Sequence, residues 1–391
     1  MDNLSLNQSV TSDSKSTGLK DKLYDLALRN NRFAFDIFNL INKGDLEKNL
    51  FISPFSISTV LSMVYQGAKN LTRDEMDKAL GYEGMDIKDL NKSYKSILGY
   101  LRHVNENVEL DIGNSIWVRE SKSNTIIEDF ISTNKEIFDS HVAALDFSKP
   151  GAADIINSWI SQATQGKLKN MVESPVDQNT FMYLVNAVYF KGEWKEQFDI
   201  MSTFETCFTC GNGERKQVKM MRNKLAAGYT KSEGFQAVRL LYGNGSMSMY
   251  CILPDSNISI NDFIEDMDFL KWGKIKESMK KTQDVTLHLP RFKLEYGIKD
   301  IKDSLISLGM NEAFSVEADF SGICKEGVLI SKILHKAVIE VTEEGSEASA
   351  STVVEMRYSA PKIFTADRPF IFIIEDSEYG TILFMGKLYD I

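Results

Sequence analysis

The sequence predicts an α+β fold, with helices concentrated towards the N-terminus and strands dominating the rest. Three observations carry this. Apolar residues recur at helical spacing from Leu23 to Ile160. The run Phe181–Phe190 (FMYLVNAVYF) is nearly all apolar and rich in β-branched and aromatic side chains, the mark of a strand buried on both faces. Short apolar runs broken by turn residues then follow one another, closing in a hairpin of Phe370–Glu375 and Thr381–Lys387.

Composition limits the function classes. A hydrophobic content of 43% in 391 residues supports a large core. A net charge of −10 argues against nucleic acid or an anionic membrane as partner. No apolar run reaches the 18 residues of a membrane span. Met1 to Asp21 lacks the apolar stretch of a secretory signal, which fits a cytoplasmic protein, or an extracellular one read from its mature start. The four Cys make no disulfide framework. Cys207 and Cys210 form a C-x-x-C, but on a strand residues three apart point to opposite faces, and no nearby His completes a zinc set. No metal or cofactor is implied.

The elements follow in order. Met1–Lys20 is polar and Ser-rich, an expected mobile extension (residues 1–21) ahead of a single domain (22–391). An amphipathic helix starts at Leu23, buries Leu26, Phe33, Ile37, Phe38 and Ile41, and ends at Gly44. Asn49–Ser56 reads as a short strand running into Ser-Pro and a helix, with Ser53 or Ser56 as its cap. Asn107–Arg119 is a strand, Thr125–Phe138 a helix, and Ala152–Ala163 a helix with Ile155, Ile156, Trp159 and Ile160 on one side. Asn186, inside the apolar strand, requires hydrogen-bond partners. Thr203–Met221 is a hairpin turning at Gly211-Asn-Gly213, followed by strands at Ala226–Thr230, Ala237–Leu241 and Met247–Leu253. Ile260–Phe269 is a helix, Val285–Leu289 a strand, Ile298–Leu308 a helix and Leu329–Thr342 a strand carrying His335.

Catalytic constellations are missing. The four His, His103, His141, His288 and His335, sit in no metal-binding or triad-like context. There is no G-x-S-x-G, Walker loop or G-x-G-x-x-G. The chain reads as a binding or inhibitory protein rather than an enzyme. Its most unusual stretch is Glu343–Pro361 (EEGSEASASTVVEMRYSAP). Its composition is that of a loop, yet Ser346, Ala348, Ala350, Thr352, Val354 and Met356 alternate with a mostly polar set, as a half-buried strand requires.

Several stretches, in this order, resemble the serpins. They are Asn49–Ser58 (NLFISPFSIS), Asn186–Trp194 (NAVYFKGEW), Val218–Met221, Ala318–Gly322 (ADFSG), His335–Ala337, Glu343–Ala350 (EEGSEASA), Asp367–Phe370 (DRPF) and Phe384–Gly386. The resemblance covers about residues 22–391; the polar extension and scattered Cys look like those of a bacterial member. It implies about nine helices on three sheets, with an exposed reactive-centre loop at about Gly345–Pro361. It also implies a monomeric inhibitor that a serine protease attacks as a suicide substrate, the cut loop entering the main sheet while the protease stays covalently attached. Residue by residue, Ser53, Ser56, Asn186 and His335 match the polar cluster where that sheet opens, and Trp194 the residue under the top of the opening. Gly345, Ser346, Glu347, Ala348, Ser349 and Ala350 match the hinge, with Ser346 where Thr is usual. Family spacing puts the reactive bond at Ser359–Ala360, or at Tyr358–Ser359 when counted back from Pro369. These imply an elastase-, subtilisin- or chymotrypsin-like partner. A non-inhibitory carrier or chaperone is the alternative; the absence of Pro and the single charge in Gly345–Thr352 favour inhibition.

Overall fold

The structure, a computed structural model, describes residues 7–104, 106–120, 125–344 and 362–391, with side chains from Gly18 on. Helix α1 (Asn7–Gly44) starts well before the Leu23 expected, so residues 7–21 of the expected extension are helical. That stretch contains no Pro to stop a helix. Leu23, Leu26, Phe33, Ile37, Phe38 and Ile41 are buried as expected. Strand β1 (Leu50–Ile52) leads into α2 (Pro54–Tyr65), buried along its whole length. Pro54 stands in the first turn, where an N–H is not needed, and Ser53 is the cap, its Oγ accepting from the Ser56 amide at 3.3 Å.

Two helices that the sequence reading leaves unassigned come next, α3 (Asn70–Leu80) and α4 (Ile87–His103). Then come β2 (Val108–Arg119), α5 (Glu128–Phe138), β3 (His141–Leu145) and α6 (Ala152–Ala163). The fifth helix begins after Thr125 because Ile126 is held in a β-bridge with Cys324. Ile155 is exposed, unlike Ile156 and Ile160, because neighbours on a helix point about 100° apart.

Strand β4 (Met182–Gly192) is buried on both faces as predicted. The hairpin of β5 (Phe204–Thr209) and β6 (Arg215–Ser232) turns at Gly211–Gly213, where Gly213 has φ +85. The separate strand expected at Ala226–Thr230 is the end of this one long β6. After β7 (Phe235–Tyr242) and β8 (Met247–Pro254), the helix expected at Ile260–Phe269 divides into α7 (Ile260–Glu265) and α8 (Phe269–Ser278). The break is at Asp268, whose carboxylate caps α8 by accepting from the Lys271 amide at 2.7 Å. Strands β9 (Lys280–Pro290) and β10 (Phe292–Asp300) precede α9 (Lys302–Ser307). The helix expected from Ile298 starts later because Ile298–Asp300 belong to β10, where Lys299 and Asp300 pair with β11 (Lys332–Val341). β12 (Lys362–Thr365), β13 (Phe370–Asp376) and β14 (Ile382–Leu388) end the chain.

The described residues thus hold nine α-helices. Their strands form two hydrogen-bonded networks rather than three separate sheets, because the 18-residue β6 joins two of them. The larger runs β1-β14-β13-β8-β7-β6-β9-β12, with β5 also on β6; the smaller runs β10-β11-β4-β2-β3. Alternate residues of β4 face two cores. Leu184, Val188 and Phe190 join the main core beneath α2, while Tyr183, Val185, Ala187 and Tyr189 join a second core beneath α6. No helix of the described residues is long and apolar enough to cross a membrane.

Candidate functional site

At the centre of the smaller sheet, β11 and β4 run parallel and pair directly, from Lys332↔Tyr183 to Ile339↔Phe190. Both flanking contacts, β10 on β11 and β2 on β4, are antiparallel. Register places His335 opposite Asn186 and Asn186 opposite Asn114, so three strands present these residues to one face. All three are buried.

Their hydrogen bonds form one directed chain. The Ser53 amide donates to His335 Nε2 at 3.1 Å. That nitrogen therefore carries no proton, and Nδ1–H donates to Asn186 Oδ1 at 2.5 Å. Asn186 Nδ2 donates onward to Asn114 Oδ1 at 2.5 Å. Burial disfavours the imidazolium and lowers the His335 pKa to about 3, so the ring is neutral at physiological pH. Ser53 Oγ donates to the Leu383 carbonyl at 2.8 Å, tying the start of α2 to β14. Ser56 lies in the same buried turn, but its hydroxyl has no hydrogen-bond partner among the described residues. The chain of bonds thus crosses the β4–β11 seam, and the seam cannot part without breaking the His335–Asn186 link.

The upper end of the seam is closed separately. Trp194 stacks on Tyr242, with ring centroids 4.4 Å apart, and its Nε1–H donates to the Thr342 carbonyl at 2.9 Å. Glu343, next along the chain, is buried and accepts from Thr203 Oγ1 at 2.8 Å and Arg291 Nε at 2.9 Å. Burial would raise its carboxyl; the bonds from Thr203 and Arg291 outweigh that and hold it below the ordinary glutamate value. Asn114, Thr203, Tyr242 and Arg291 are site residues that the sequence reading did not single out. The chain leaves the seam at Glu344 and is next described at Lys362, the first residue of β12. The hinge Gly345–Ala350 and the reactive-bond candidates Tyr358, Ser359 and Ala360 lie outside the described residues.

Outside this site, the C-x-x-C is divided: Cys207 is half-buried on β5, and Cys210 lies beyond it with Sγ 3.1 Å from Asp390 Oδ1.

The family model described as Serpin (serine protease inhibitor) matches residues 28–391. This chain is a serpin. It is 35% identical over 93% of its length, and 88% of the relative's, to an uncharacterized serpin-like protein of Methanosarcina acetivorans. It is 34% identical to the leukocyte elastase inhibitor of Bos taurus, over 93% of this chain and 98% of that one. The crystal structure of tengpin, a thermophilic serpin in the native state, matches with a TM-score of 0.83 and 32% identity over 94% of both chains. The family description and relatives named leukocyte elastase inhibitor support protease inhibition in general.

Proposed function

We propose that this serpin inhibits serine proteases as a monomeric suicide substrate. The observation that carries the reading is the parallel β4–β11 seam, followed in the sequence, shortly after β11 ends at Val341, by the alternating segment that starts at Ser346. A chain that turns back after β11 and enters the seam runs antiparallel to both neighbours. It would replace one parallel pairing, the weaker kind, by two antiparallel ones. Ser346 to Met356 has the small and apolar alternation that such a strand needs.

The chemistry belongs to the protease. Its serine oxygen attacks the carbonyl of the reactive residue, the peptide bond to the next residue breaks, and that residue's nitrogen leaves as an amine after taking a proton. An acyl ester joins the two proteins. Insertion then carries the ester away from its docking position before water can cleave it. Ser359–Ala360 suits elastase- or subtilisin-like enzymes, and Tyr358–Ser359 a chymotrypsin-like one.

Incubation with one protease of each type, followed by a denaturing gel, tests the mechanism. An SDS-resistant complex is expected; clean cleavage without complex would instead support a non-inhibitory carrier or chaperone. The mass of the released C-terminal peptide reads the bond. A peptide starting at Ala360 or Ser359 is expected, and one starting at Tyr358 would move the reactive residue to Arg357.

A further inference from the structure

We propose that the sheet face between the two ends of the 345–361 connection is a second docking surface for the target protease, formed by Ile200, Met201, Phe204 and Ile363. The proposal rests on the inhibitory reading above and adds a specificity surface outside the loop. These side chains are unusually open for apolar residues: Met201 is 87% exposed, Ile200 62%, Ile363 48% and Phe204 42%.

Register gathers Phe204 and Ile363, and Ile200 and Met201 lie in the turn that leads into Phe204. Phe204 on β5 pairs with Met220 on β6, and Met220 with Pro290 on β9. Two residues along, Arg222 pairs with His288, and His288 with Thr365 on β12. Residues two apart on a strand share a face, so Phe204, Arg222, His288, Ile363 and Thr365 lie on one side of the sheet. Contacts bear this out. The Phe204 ring meets His288 edge-on at 5.7 Å, and His288 Nδ1 is 3.0 Å from Thr365 Oγ1. Ile200 and Met201 form the turn just ahead of β5.

Both ends of the connection are fixed next to these residues in the chain. The Phe198 amide donates to the Glu343 carbonyl at 3.3 Å, and Thr203 of the same turn holds the Glu343 side chain. The other end, Lys362, opens β12 beside Ile363. The occupant follows from chain length. Ser359 is three residues upstream of Lys362, so the bond sits within about 10 Å of the start of β12. A protease closed on that bond must lie against its surroundings, and clustered exposed apolar groups favour a protein contact. Arg222 is exposed on this face and forms no ion pair with a described residue, which selects a protease whose facing surface joins apolar side chains to carboxylates.

Met201→Asp and Ile363→Asp, made in the full chain, test this. Neither side chain is in the core, and unchanged melting verifies folding. Association rate constants are measured against elastase, chymotrypsin and subtilisin, with cleavage of a free peptide of residues 345–361 as control. We expect a drop of about tenfold or more for at least one protease with the others changed less than about twofold, within the range interface mutations produce. Rates within about twofold of the parent for all three would overturn the proposal. So would an equal change for all three, because the patch would then act as a seat for the connection itself. If the parent forms no covalent complex with any of them, the inhibitory reading fails first, and the two failures are told apart.

Discussion

His335 shows how burial turns an ordinary titratable ring into a lock. Its folded pKa, about 3, lies below the ordinary value of 6.5 because water is excluded from it. The unfolded chain therefore binds a proton more readily, and stability from the neutral ring is present in full above pH 6.5 and lost as pH falls towards 3. At pH 5 the loss is about 2 kcal/mol. His335→Gln removes this term. Denaturant unfolding of both proteins at pH 7 and pH 5 is expected to show the parent losing about 2 kcal/mol more than the variant. Equal losses would mean that the ring reaches water or a counter-charge. The single residues of this site were unevenly legible. Ser53 stood out as a cap before Pro54, Asn186 as a polar group in an apolar run that needs partners, and His335 as a histidine in an apolar strand. Asn114 did not, because only the β2–β4 register sets it opposite Asn186. Arg291 and Thr203 reach Glu343 across 52 and 140 positions, and no local pattern marks such a meeting.

Elements were legible where one local signal dominated. Apolar density defined β4, and helical spacing defined α6 from end to end. Signals failed where tertiary pairing overrode them, as at Ile298–Asp300, which β11 draws into β10. Under the proposed mechanism the segment after β11 would have two fates, and its first inward residue should govern the choice. Ser346 would enter the seam first, facing the apolar interior, while Glu347 would face out. Ser346→Arg forces a charge into that interior at a cost of several kcal/mol. It is expected to fold normally, yet to be cleaved as a substrate with little covalent complex. Glu347→Arg should inhibit nearly as the parent does. The stoichiometry of inhibition measures both. If Ser346→Arg inhibits like the parent, the inward assignment or the insertion mechanism is wrong.

For the whole molecule, the fold class and most strands could be read from the sequence, but the parallel seam could not. Parallel pairing of β4 with a strand some 150 residues later depends on the crossover between them, not on either sequence alone. Under the proposed mechanism the uncut chain would be held from a more stable arrangement by its uncut connection, a kinetic rather than an equilibrium condition. A cut between residues 357 and 360 would free the segment to enter. Fourteen residues separate Gly345 from Ser359. At about 3.3 Å each, an attached protease would be carried roughly 46 Å. With ten or so new ladder bonds at about 1 kcal/mol each, the gain is on the order of 10 kcal/mol. At about 1 °C per kcal/mol for a chain of 391 residues, that places the melting point of the cut chain on the order of 10 °C above that of the intact one. Melting before and after limited proteolysis, with both fragments retained, measures the difference. Amides of Lys332–Ile339 and Tyr183–Phe190 should also exchange more slowly in the cut chain, because antiparallel pairing would replace the weaker parallel pairing between them and opening would cost more. A cut chain that melts at or below the intact temperature would make the closed seam the stable state. Insertion could then not outrun hydrolysis of the acyl ester, and the chain would be a substrate of proteases rather than their inhibitor.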